Sequence, residues 1–447
     1  MEKIVGPLSN SVCIAFGAGC ARNQADTELL FAYFRANGWR IRRRIEDADL
    51  VIVAACGFDQ AIEVYSQRLL TAANGRRKKG ARLLIVGCLA GVDPGGIQER
   101  FDAMAIAPKD IEKLDDVIGA TVKLAQVKDS GFVQPSIRQA RHCFSYWERR
   151  GEAKTKGVSL TAIKRRAFRA VGSLRLEQSM TALARVFPWI DRRRGAPPGE
   201  PLGGGYRLRI ARGCLGECSY CAIRRAIGPL RSRPLDRICV EFVMARKRGY
   251  REFQLVAGDT GAYGQDIGTN ICQLLRRLFA EKGRFKLTIA DFHPEWFVAY
   301  EKELTELLEA NAERVRFLSI AVQSGSDRIL GLMRRKYTAS AARESLRRLK
   351  QKCPNIFLST HVLIGFPTES EEDFELTLAL LRDVQFDRID VFKYSDRPDT
   401  PASQMREKVP HETIKRRTQQ LFERFPKETF HQSGRARKAW VHDGVDR

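Results

Sequence analysis

Three cysteines in one short segment carry the most specific chemical signal of this sequence. Cys214, Cys218 and Cys221 are separated by three and two residues, and they directly follow an apolar run that predicts a strand. Three thiolates on one loop suit three irons of a 4Fe–4S cube and leave the fourth iron open. Zinc is the alternative because it also takes soft ligands, but no fourth Cys or His follows at a suitable spacing. The segment therefore favours an iron–sulfur cluster over zinc.

A second set of three thiols occurs in the N-terminal region. Each follows one of three apolar runs that predict buried parallel strands, at Val12–Phe16, Leu50–Ala54 and Leu83–Val86. Because the carboxyl ends of parallel strands meet at one edge of a sheet, we expect Cys20, Cys56 and Cys88 to converge. For any one of them alone, an ordinary buried cysteine is the alternative. The equivalent positions of all three favour the ligation of a second cluster.

The other cysteines show no such pattern, and we interpret them as structural: Cys13, Cys143, Cys239, Cys272 and Cys353. The total of eleven is odd and the sequence shows no export signal, so we do not expect a disulfide framework. No run of strongly apolar residues is long enough to predict a transmembrane helix. We therefore expect a cytoplasmic protein with no membrane partner.

The elements that must position both cysteine sets alternate between strand and helix patterns. Helical periodicity at Thr27–Asn37 and Ile62–Ala73 separates the three N-terminal strands, which predicts a parallel sheet. Six further strands alternate with helices, at Leu208–Ile210, Glu252–Val256, Phe285–Ile289, Arg316–Val322, Ile356–Ile364 and Arg388–Phe392. The predicted fold class is α/β, with an N-terminal parallel α/β sheet domain followed by a partial (β/α)6 barrel.

Composition and charge divide the 447 residues into four regions. We predict an N-terminal domain at 1–130, a basic insertion or linker at 131–205, the barrel at 206–408, and a C-terminal helix with a basic tail at 409–447. Hydrophobic residues make up 44% and charged residues 29% of the chain, an ordinary globular balance. The net charge of +24 indicates a polyanionic partner such as nucleic acid. Arg-rich composition unrelated to binding is the alternative.

The central cysteine segment resembles a known family signature. The C-x3-C-x2-C spacing, with the aromatic Tyr220 just before the last cysteine, resembles that of radical S-adenosylmethionine enzymes. Together with the three dispersed N-terminal cysteines, it resembles the methylthiotransferase family, whose members modify tRNA adenosines or an aspartate of a ribosomal protein. The resemblance implies two 4Fe–4S clusters, S-adenosylmethionine as cofactor, and insertion of a methylthio group into an unactivated C–H bond. It implies no protein acid or base as a catalytic residue.

Further segments are similar to the family pattern, and they extend the resemblance over residues 12–130 and 206–422. They are Gly19-Cys20 with Asn23, Asp26 and Glu28, then 227–234, 258–264, 322–327, 333–338, 365–369 and 394–402. The resemblance implies that the turns after the barrel strands face the cofactor. The implied cofactor-binding residues are Tyr220, Gly258, Asp259, Gln323, Ser324 and Gly365. Arg231 and Arg233 are candidates for binding the substrate through carboxylate or phosphate groups, with a solvated basic face as the alternative.

The substrate stays open between two classes. A tRNA nucleoside is our first expectation, held by the basic insertion, where residues 141–200 carry 14 Lys and Arg against 5 Asp and Glu. A peptide or protein side chain is the rival. Members of the family usually end in a small RNA-binding barrel, the TRAM domain, and too few residues follow the last matching helix for us to expect one.

The function itself has two competing hypotheses. One is a radical enzyme whose second cluster only relays electrons, and the absence of a methylthiolated product would distinguish it. The other, from a different class, is a basic RNA-binding protein with a degenerate catalytic half, although intact cysteine sets in both domains argue against it. For the methylthiotransferase, a low-potential donor such as flavodoxin or ferredoxin would supply electrons.

Overall fold

A computed structural model describes residues 10–16, 20–127, 205–426 and 429–430. The basic insertion predicted at 131–205 lies outside the described residues except for Gly205, as does the predicted tail beyond residue 430. The tRNA contacts that we expect of that insertion therefore lie outside them as well. The boundaries at 130, 205 and 408 stay a prediction.

The N-terminal domain contains a parallel sheet whose strand order is β2-β1-β3-β4-β5. Its strands are β1 (Ser11–Phe16), β2 (Arg40–Ile41), β3 (Leu50–Ala54), β4 (Arg82–Val86) and β5 (Met104–Ile106). Every residue of β1 and β3 is buried, as expected for central parallel strands that helices cover on both faces. The three strands predicted from apolar runs are confirmed within one residue.

Helices connect these strands on both faces of the sheet. They are α1 (Ala21–Ala36), α2 (Gln60–Arg76), α3 (Leu89–Val92), α4 (Pro94–Phe101) and α5 (Leu114–Val117). The sequence predicts that the first helix begins at Thr27, whereas α1 begins six residues earlier, directly after Cys20. Its first turns carry Asn23, Gln24 and Glu28, which are polar but buried. Helical periodicity is recognised in a sequence when polar residues face solvent and apolar residues are buried. Because these polar residues are buried, the first turns of α1 do not show that pattern.

The second domain is a six-stranded parallel sheet whose strands follow one another in chain order. The strands are β6 (Tyr206–Arg209), β9 (Glu252–Val256), β10 (Lys286–Phe292), β11 (Val315–Ile320), β12 (Leu358–Ile364) and β13 (Arg388–Lys393). All six predicted strands are therefore confirmed, and sequential parallel order is that of a partial (β/α)6 barrel. A short antiparallel pair, β7 (Ala211–Arg212) and β8 (Arg231–Ser232), frames the central cysteine loop.

The helices of the barrel lie between its strands. They are α6 (Ile223–Ile227), α7 (Leu235–Lys247), α8 (Ile271–Phe279), α9 (Pro294–Ala299), α10 (Glu301–Ala310), α11 (Asp327–Leu332), α12 (Ala339–Lys352) and α13 (Glu371–Val384). A further helix, α14 (His411–Arg424), packs with Ile414 and Leu421 into the same hydrophobic core as the strands. The helix predicted within 409–447 is therefore present, and it packs against the core of the barrel strands.

Ion pairs join the two domains, which belong to one compact unit of the chain. Arg209 and Arg212 approach the same carboxylate oxygen of Asp26, at 2.8 and 2.9 Å. Arg207 lies 3.1 Å from the carboxylate of Glu28. The polar residues that open α1 thus bind the first strands of the barrel, which holds the carboxyl edge of the N-terminal sheet against the barrel.

Candidate active site between the two cysteine sets

The central cysteine loop is fixed by close backbone contacts. Gly213, just before the loop, has φ +70°, and a Cβ atom there would lie 1.8 Å from the carbonyl oxygen of Pro229. The backbone N–H of Cys214 donates to the carbonyl of Gly228 at 3.1 Å. Only glycine adopts this left-handed backbone easily and also lacks the Cβ atom for which position 213 has no space. The segment after the loop therefore folds back over its start and holds the three thiols together.

Burial dominates the acidity of these thiols. It raises the pKa of Cys214 to about 12, and the nearby carboxylate of Asp259 adds to the effect. Burial also raises the pKa of Cys218, although the guanidinium of Arg335 opposes it. The phenol of Tyr220 accepts a hydrogen bond from Arg335 at 2.6 Å. Thiols of this kind ionise when a metal replaces the proton, which suits cluster ligation.

The three N-terminal cysteines converge at the carboxyl edge of their sheet, as predicted. A side-chain hydrogen bond with Cys56 lowers the pKa of Cys20, with burial opposing it and Arg22 assisting. The pKa of Cys56 is raised well above its ordinary value by the same bond and by burial. Burial raises the pKa of Cys88 to about 12. That these thiols bind a cluster stays a prediction.

The two cysteine sets are adjacent to each other. Cys88 packs in one hydrophobic cluster with Ala222, Ile223 and Ala226, and Cys221 packs against that cluster. The contact joins the short helix α3, which follows Cys88, to α6, which follows the central loop. One set of thiols therefore lies beside the other, across the boundary of the two domains.

A cavity lies beside the central cysteines, and it encloses about 1180 Å³ of empty space, open solvent at its mouth included. The N-terminal domain contributes Arg22, Gly57, Phe58 and Asp59 to its wall. The central loop contributes all three of its cysteines and Tyr220. The ends of the barrel strands supply most of the remaining wall, including Gly258, Asp291, His293, Gln323, His361 and Phe392.

Whether iron–sulfur clusters fit this site can be judged from buried cationic groups in its wall that lack hydrogen-bond partners among the described residues. The Nε atom of Arg22, and the Nε and Nη1 atoms of Arg335, are buried without a hydrogen-bond partner among the described residues. Arg22 acts electrostatically on the thiols of Cys20, Cys88 and Cys221. Buried donors of this kind require an acceptor, and thiolate-bound clusters supply anionic sulfur. Six thiols in two sets, with buried guanidinium groups beside them, fit two clusters.

Four of the predicted cofactor-binding residues line or support this cavity in different ways. Tyr220, Gly258 and Gln323 form part of its wall. Asp259 is fully buried behind the wall, where it accepts hydrogen bonds from Trp296 Nε1 at 2.8 Å and from the backbone of Gly261 at 3.0 Å. Burial raises the pKa of Asp259 to about 7, with these bonds opposing it. Its side chain therefore braces the turn after β9 from behind.

Two other predicted cofactor contacts face away from the cavity. The hydroxyl of Ser324 lies 3.3 Å from that of Thr377, so the serine ties the turn after β11 to α13. Gly365 has φ +82°, and a Cβ atom there would lie 2.3 Å from Ile414 on α14. Its small size thus allows α14 to pack and does not open space for a cofactor. The geometry therefore does not indicate direct contact between these two residues and the cofactor.

The predicted substrate-binding arginines also lie outside the cavity. Arg233 donates to the carbonyl of Arg209 at 2.6 Å and pairs with Glu241 at 2.6 Å. Arg231 lies on β8, where its backbone stands opposite that of Arg212 in the antiparallel pair with β7. Both arginines line a different cavity of the described structure. Arg233 therefore has a structural role beside the first barrel strand.

Sequence reasoning missed several residues of the cavity wall. Arg335 and Arg397 lie inside segments that match the family pattern, so the resemblance alone could have suggested them. Asp291, near the end of β10, is a non-glycine residue at a positive φ of 55°. A break in strand register near Asp291 produces this geometry, and no local sequence signal marks it. Arg22 is a single charged residue with no signal beyond its position two residues after Cys20.

Among the described residues, no helix combines the length and apolar character that crossing a membrane would require. Two family models match the chain. The model described as the Radical SAM superfamily matches residues 208–381, which contain the central cysteines. The model described as Uncharacterized protein family UPF0004 matches residues 13–107, which contain the N-terminal set.

Curated relatives extend across both matched regions. A probable threonylcarbamoyladenosine tRNA methylthiotransferase of Pyrococcus horikoshii is 29% identical over 408 residues, which cover 90% of this chain and 81% of the relative. A ribosomal protein uS12 methylthiotransferase RimO of Acetivibrio thermocellus is 28% identical over 413 residues, with 92% and 79% covered. The human threonylcarbamoyladenosine tRNA methylthiotransferase is 28% identical over 414 residues, with 90% and 60% covered.

A solved structure shares the fold at low sequence identity. The radical S-adenosylmethionine methyltransferase TsrM of Kitasatospora setae is 15% identical, with a TM-score of 0.55 over 89% of this chain and 77% of that one. Both domains of the present chain thus have matched relatives, and residues of both domains line one cavity. Over both matched regions the chain is similar to radical S-adenosylmethionine methylthiotransferases.

Proposed function

We propose that this enzyme inserts a methylthio group into a C–H bond of a tRNA nucleoside. The observation that carries the proposal is the adjacency of the two cysteine sets, with Cys88 and Cys221 in contact with one hydrophobic cluster. Hydrogen abstraction and sulfur insertion must act on the same substrate carbon. An enzyme that performs both therefore needs its two reactive groups beside one cavity.

Each cysteine set has its own task in this proposal. Cys214, Cys218 and Cys221 would hold one 4Fe–4S cluster, and Cys20, Cys56 and Cys88 would hold the second. When bound, the clusters and S-adenosylmethionine supply a 5′-deoxyadenosyl radical at the central site, and a methylated sulfur at the N-terminal site.

The protein's own residues position these groups and shield them. The backbone at Gly258 and the side chain of Gln323 border the cavity beside the central cysteines. Asp259 fixes the turn that carries Gly258 through its bonds to Gly261 and Trp296. A flavodoxin or ferredoxin is the class of donor that would supply the electron.

An aromatic contact in the cavity favours a nucleobase as substrate. Phe58, two residues after Cys56, has 37% of its surface exposed. Its ring meets Phe392 of the barrel edge to face, with 5.5 Å between centroids, and Phe392 meets His361 in the same way at 5.3 Å. Unpaired bases commonly stack on exposed aromatic side chains. The net charge of +24 also suits a polyanionic substrate.

A protein side chain is the competing acceptor, because some relatives are named for ribosomal protein uS12. Mass spectrometry of RNA and protein from a deletion strain distinguishes the two. We expect one tRNA nucleoside to lose a methylthio group in the deletion strain and to regain it with the wild-type gene. The Cys20→Ala, Cys56→Ala, Cys88→Ala variant should not restore it. Loss of a methylthio group from a protein, with tRNA unchanged, would replace the tRNA assignment.

Binding to RNA provides a second, independent test. Phosphate contacts by Lys and Arg release counterions, so binding of bulk tRNA should weaken steeply as salt rises. The predicted contacts in the basic insertion are Lys164, Arg165, Arg166, Arg169, Arg192, Arg193 and Arg194, with Phe144, Tyr146 and Trp147 as stacking candidates. Deletion of residues 141–194 should reduce the affinity at low salt. Unchanged affinity would contradict the role of the insertion and favour a peptide acceptor.

A further inference from the structure

We propose that Arg22 is a fixed positive charge shared by both cysteine sets, which raises the reduction potential of the cluster at the N-terminal site. The inference rests on the proposed function only in that both sites hold clusters. It concerns a residue of the N-terminal domain that the cluster chemistry itself does not require.

The position of Arg22 is the first observation. It is the second residue of α1, and the helix begins immediately after Cys20. The amino end of a helix carries a partial positive charge, which adds to that of the guanidinium. The side chain reaches the cavity wall, where Cys221 and Asp291 of the barrel also lie. A single cation thus borders thiols from both domains.

The hydrogen bonding of Arg22 is the second observation. Its Nε atom is buried and has no partner among the described residues. Leaving such a donor unpaired is unfavourable, and more so for a charged group. The electrostatic neighbours of Arg22 are the thiols of Cys20, Cys88 and Cys221 and the carboxylate of Asp291. Anionic sulfur at the N-terminal site is therefore the acceptor that this guanidinium lacks.

The direction of the effect follows from charge. Reduction adds an electron to a cluster, and a nearby cation stabilises the more negative reduced form. Net charge and hydrogen bonds to the sulfurs are among the factors that set the potential of such clusters. Arg22 should therefore make the N-terminal cluster easier to reduce. Asp291, a carboxylate that acts on Cys20 with the opposite sign, should make it harder to reduce.

The test is a redox titration of the reconstituted holoenzyme followed by electron paramagnetic resonance, without substrate. Signals are assigned to the N-terminal cluster with the Cys214→Ala, Cys218→Ala, Cys221→Ala variant. Arg22→Met should move the midpoint potential of that cluster to a more negative value, and Arg22→Lys should retain most of the wild-type value. Arg68→Met removes the same charge from an exposed position on α2 and should leave the potential unchanged.

A second substitution keeps the proposal testable if Arg22→Met loses its N-terminal cluster. Asp291→Asn should move the same midpoint potential in the positive direction. Opposite shifts from two residues of different domains are the electrostatic signature, because a general loosening of the site would move both variants alike. An unchanged midpoint potential of the N-terminal cluster in Arg22→Met would overturn the proposal. If only Asp291→Asn retains the cluster, an unchanged midpoint potential in that variant would overturn it. Either result leaves methylthio transfer itself, which is measured by product, unaffected.

Discussion

Gly91 lies so close to Ala226 that a Cβ atom on residue 91 would fall 2.6 Å from both the Cα and the Cβ atom of Ala226. Gly91 belongs to α3, which begins directly after Cys88, and Ala226 belongs to α6, which begins two residues after Cys221. The two helices can approach this closely only because residue 91 has no side chain. This contact sets the separation of the two cysteine sets.

The first prediction concerns this contact. Gly91→Ala should force α3 and α6 apart, at a cost of about 1–3 kcal/mol typical of overpacking. Because the central site stays intact, the variant should still form 5′-deoxyadenosine while methylthiolated product falls sharply. Gly75→Ala is the control, since nothing lies within 4 Å of a Cβ atom there. If Gly91→Ala forms both 5′-deoxyadenosine and methylthiolated product at wild-type levels, the separation of the two cysteine sets is not important for transfer.

A second prediction concerns the iron content. Two cubes require about eight irons in the anaerobically reconstituted chain. Replacing Cys214, Cys218 and Cys221 by Ala should leave roughly half of that iron, because the N-terminal set is independent of the central loop. Colorimetric iron and sulfide analysis measures the change. A full iron complement in this variant would show that the central thiols are not ligands.

Stability at acidic pH gives a third prediction. Burial opposes ionisation of Asp373, but hydrogen bonds from Arg328, Ser326 and Ser370 lower its pKa to about 2. These bonds tie the turn after β11 to the start of α13, and Ser326 Oγ approaches the carboxylate at 2.5 Å. A carboxylate whose folded pKa is depressed stabilises the protein above its unfolded pKa, and the contribution is lost as pH falls through the folded pKa.

Asp373→Asn should therefore destabilise the cluster-free protein by about 2 kcal/mol at neutral pH, from a shift of nearly two pKa units. The difference from wild type should be constant between pH 7 and 5, and it should shrink between pH 4 and 2. Urea unfolding of both proteins across this range measures it. A difference that persists undiminished at pH 2 would show that packing, and not the charge, is responsible.

The fourth prediction concerns Phe58 and the substrate. Base stacking on an aromatic ring contributes about 1–3 kcal/mol per base, so Phe58→Ala should lower kcat/KM for tRNA by tenfold or more. Phe58→Trp should retain most activity, because a larger planar ring still stacks. Val64→Ala, an exposed position on α2, is the control. Equal activity of Phe58→Ala and wild type would remove the structural argument for a nucleobase.

Much of the fold could be predicted because its strands are unbroken apolar runs. Leu50–Ala54 is confirmed to the residue, whereas Arg40–Ile41 and Met104–Ile106 were missed because two or three residues at a sheet edge leave no pattern. The start of α1 was missed for the opposite reason. Its polar residues are buried against arginines of the barrel, a contact between domains that no local periodicity records.

The site divides in a similar way. The convergence of the six thiols in two sets could be predicted, since each cysteine follows a strand of known direction. That Gln323 faces the cavity while neighbouring Ser324 faces away from it could not be predicted, because this difference depends on the positive φ of Gln323. Gly365 was assigned to the cofactor although its size serves the packing of Ile414. Such roles depend on distant elements that only the folded chain brings together.

The most direct test of the account supplies methyl-deuterated S-adenosylmethionine and a reductant to the reconstituted enzyme, with tRNA from a deletion strain as substrate. Wild type should form 5′-deoxyadenosine and a nucleoside whose new methylthio group carries the deuterated methyl. The Cys20→Ala, Cys56→Ala, Cys88→Ala variant should form 5′-deoxyadenosine but no methylthiolated nucleoside. Labelled methylthio product from that variant, or cofactor cleavage by wild type with no labelled product in tRNA or protein from the deletion strain, would contradict a methylthio transfer between these two cysteine sets.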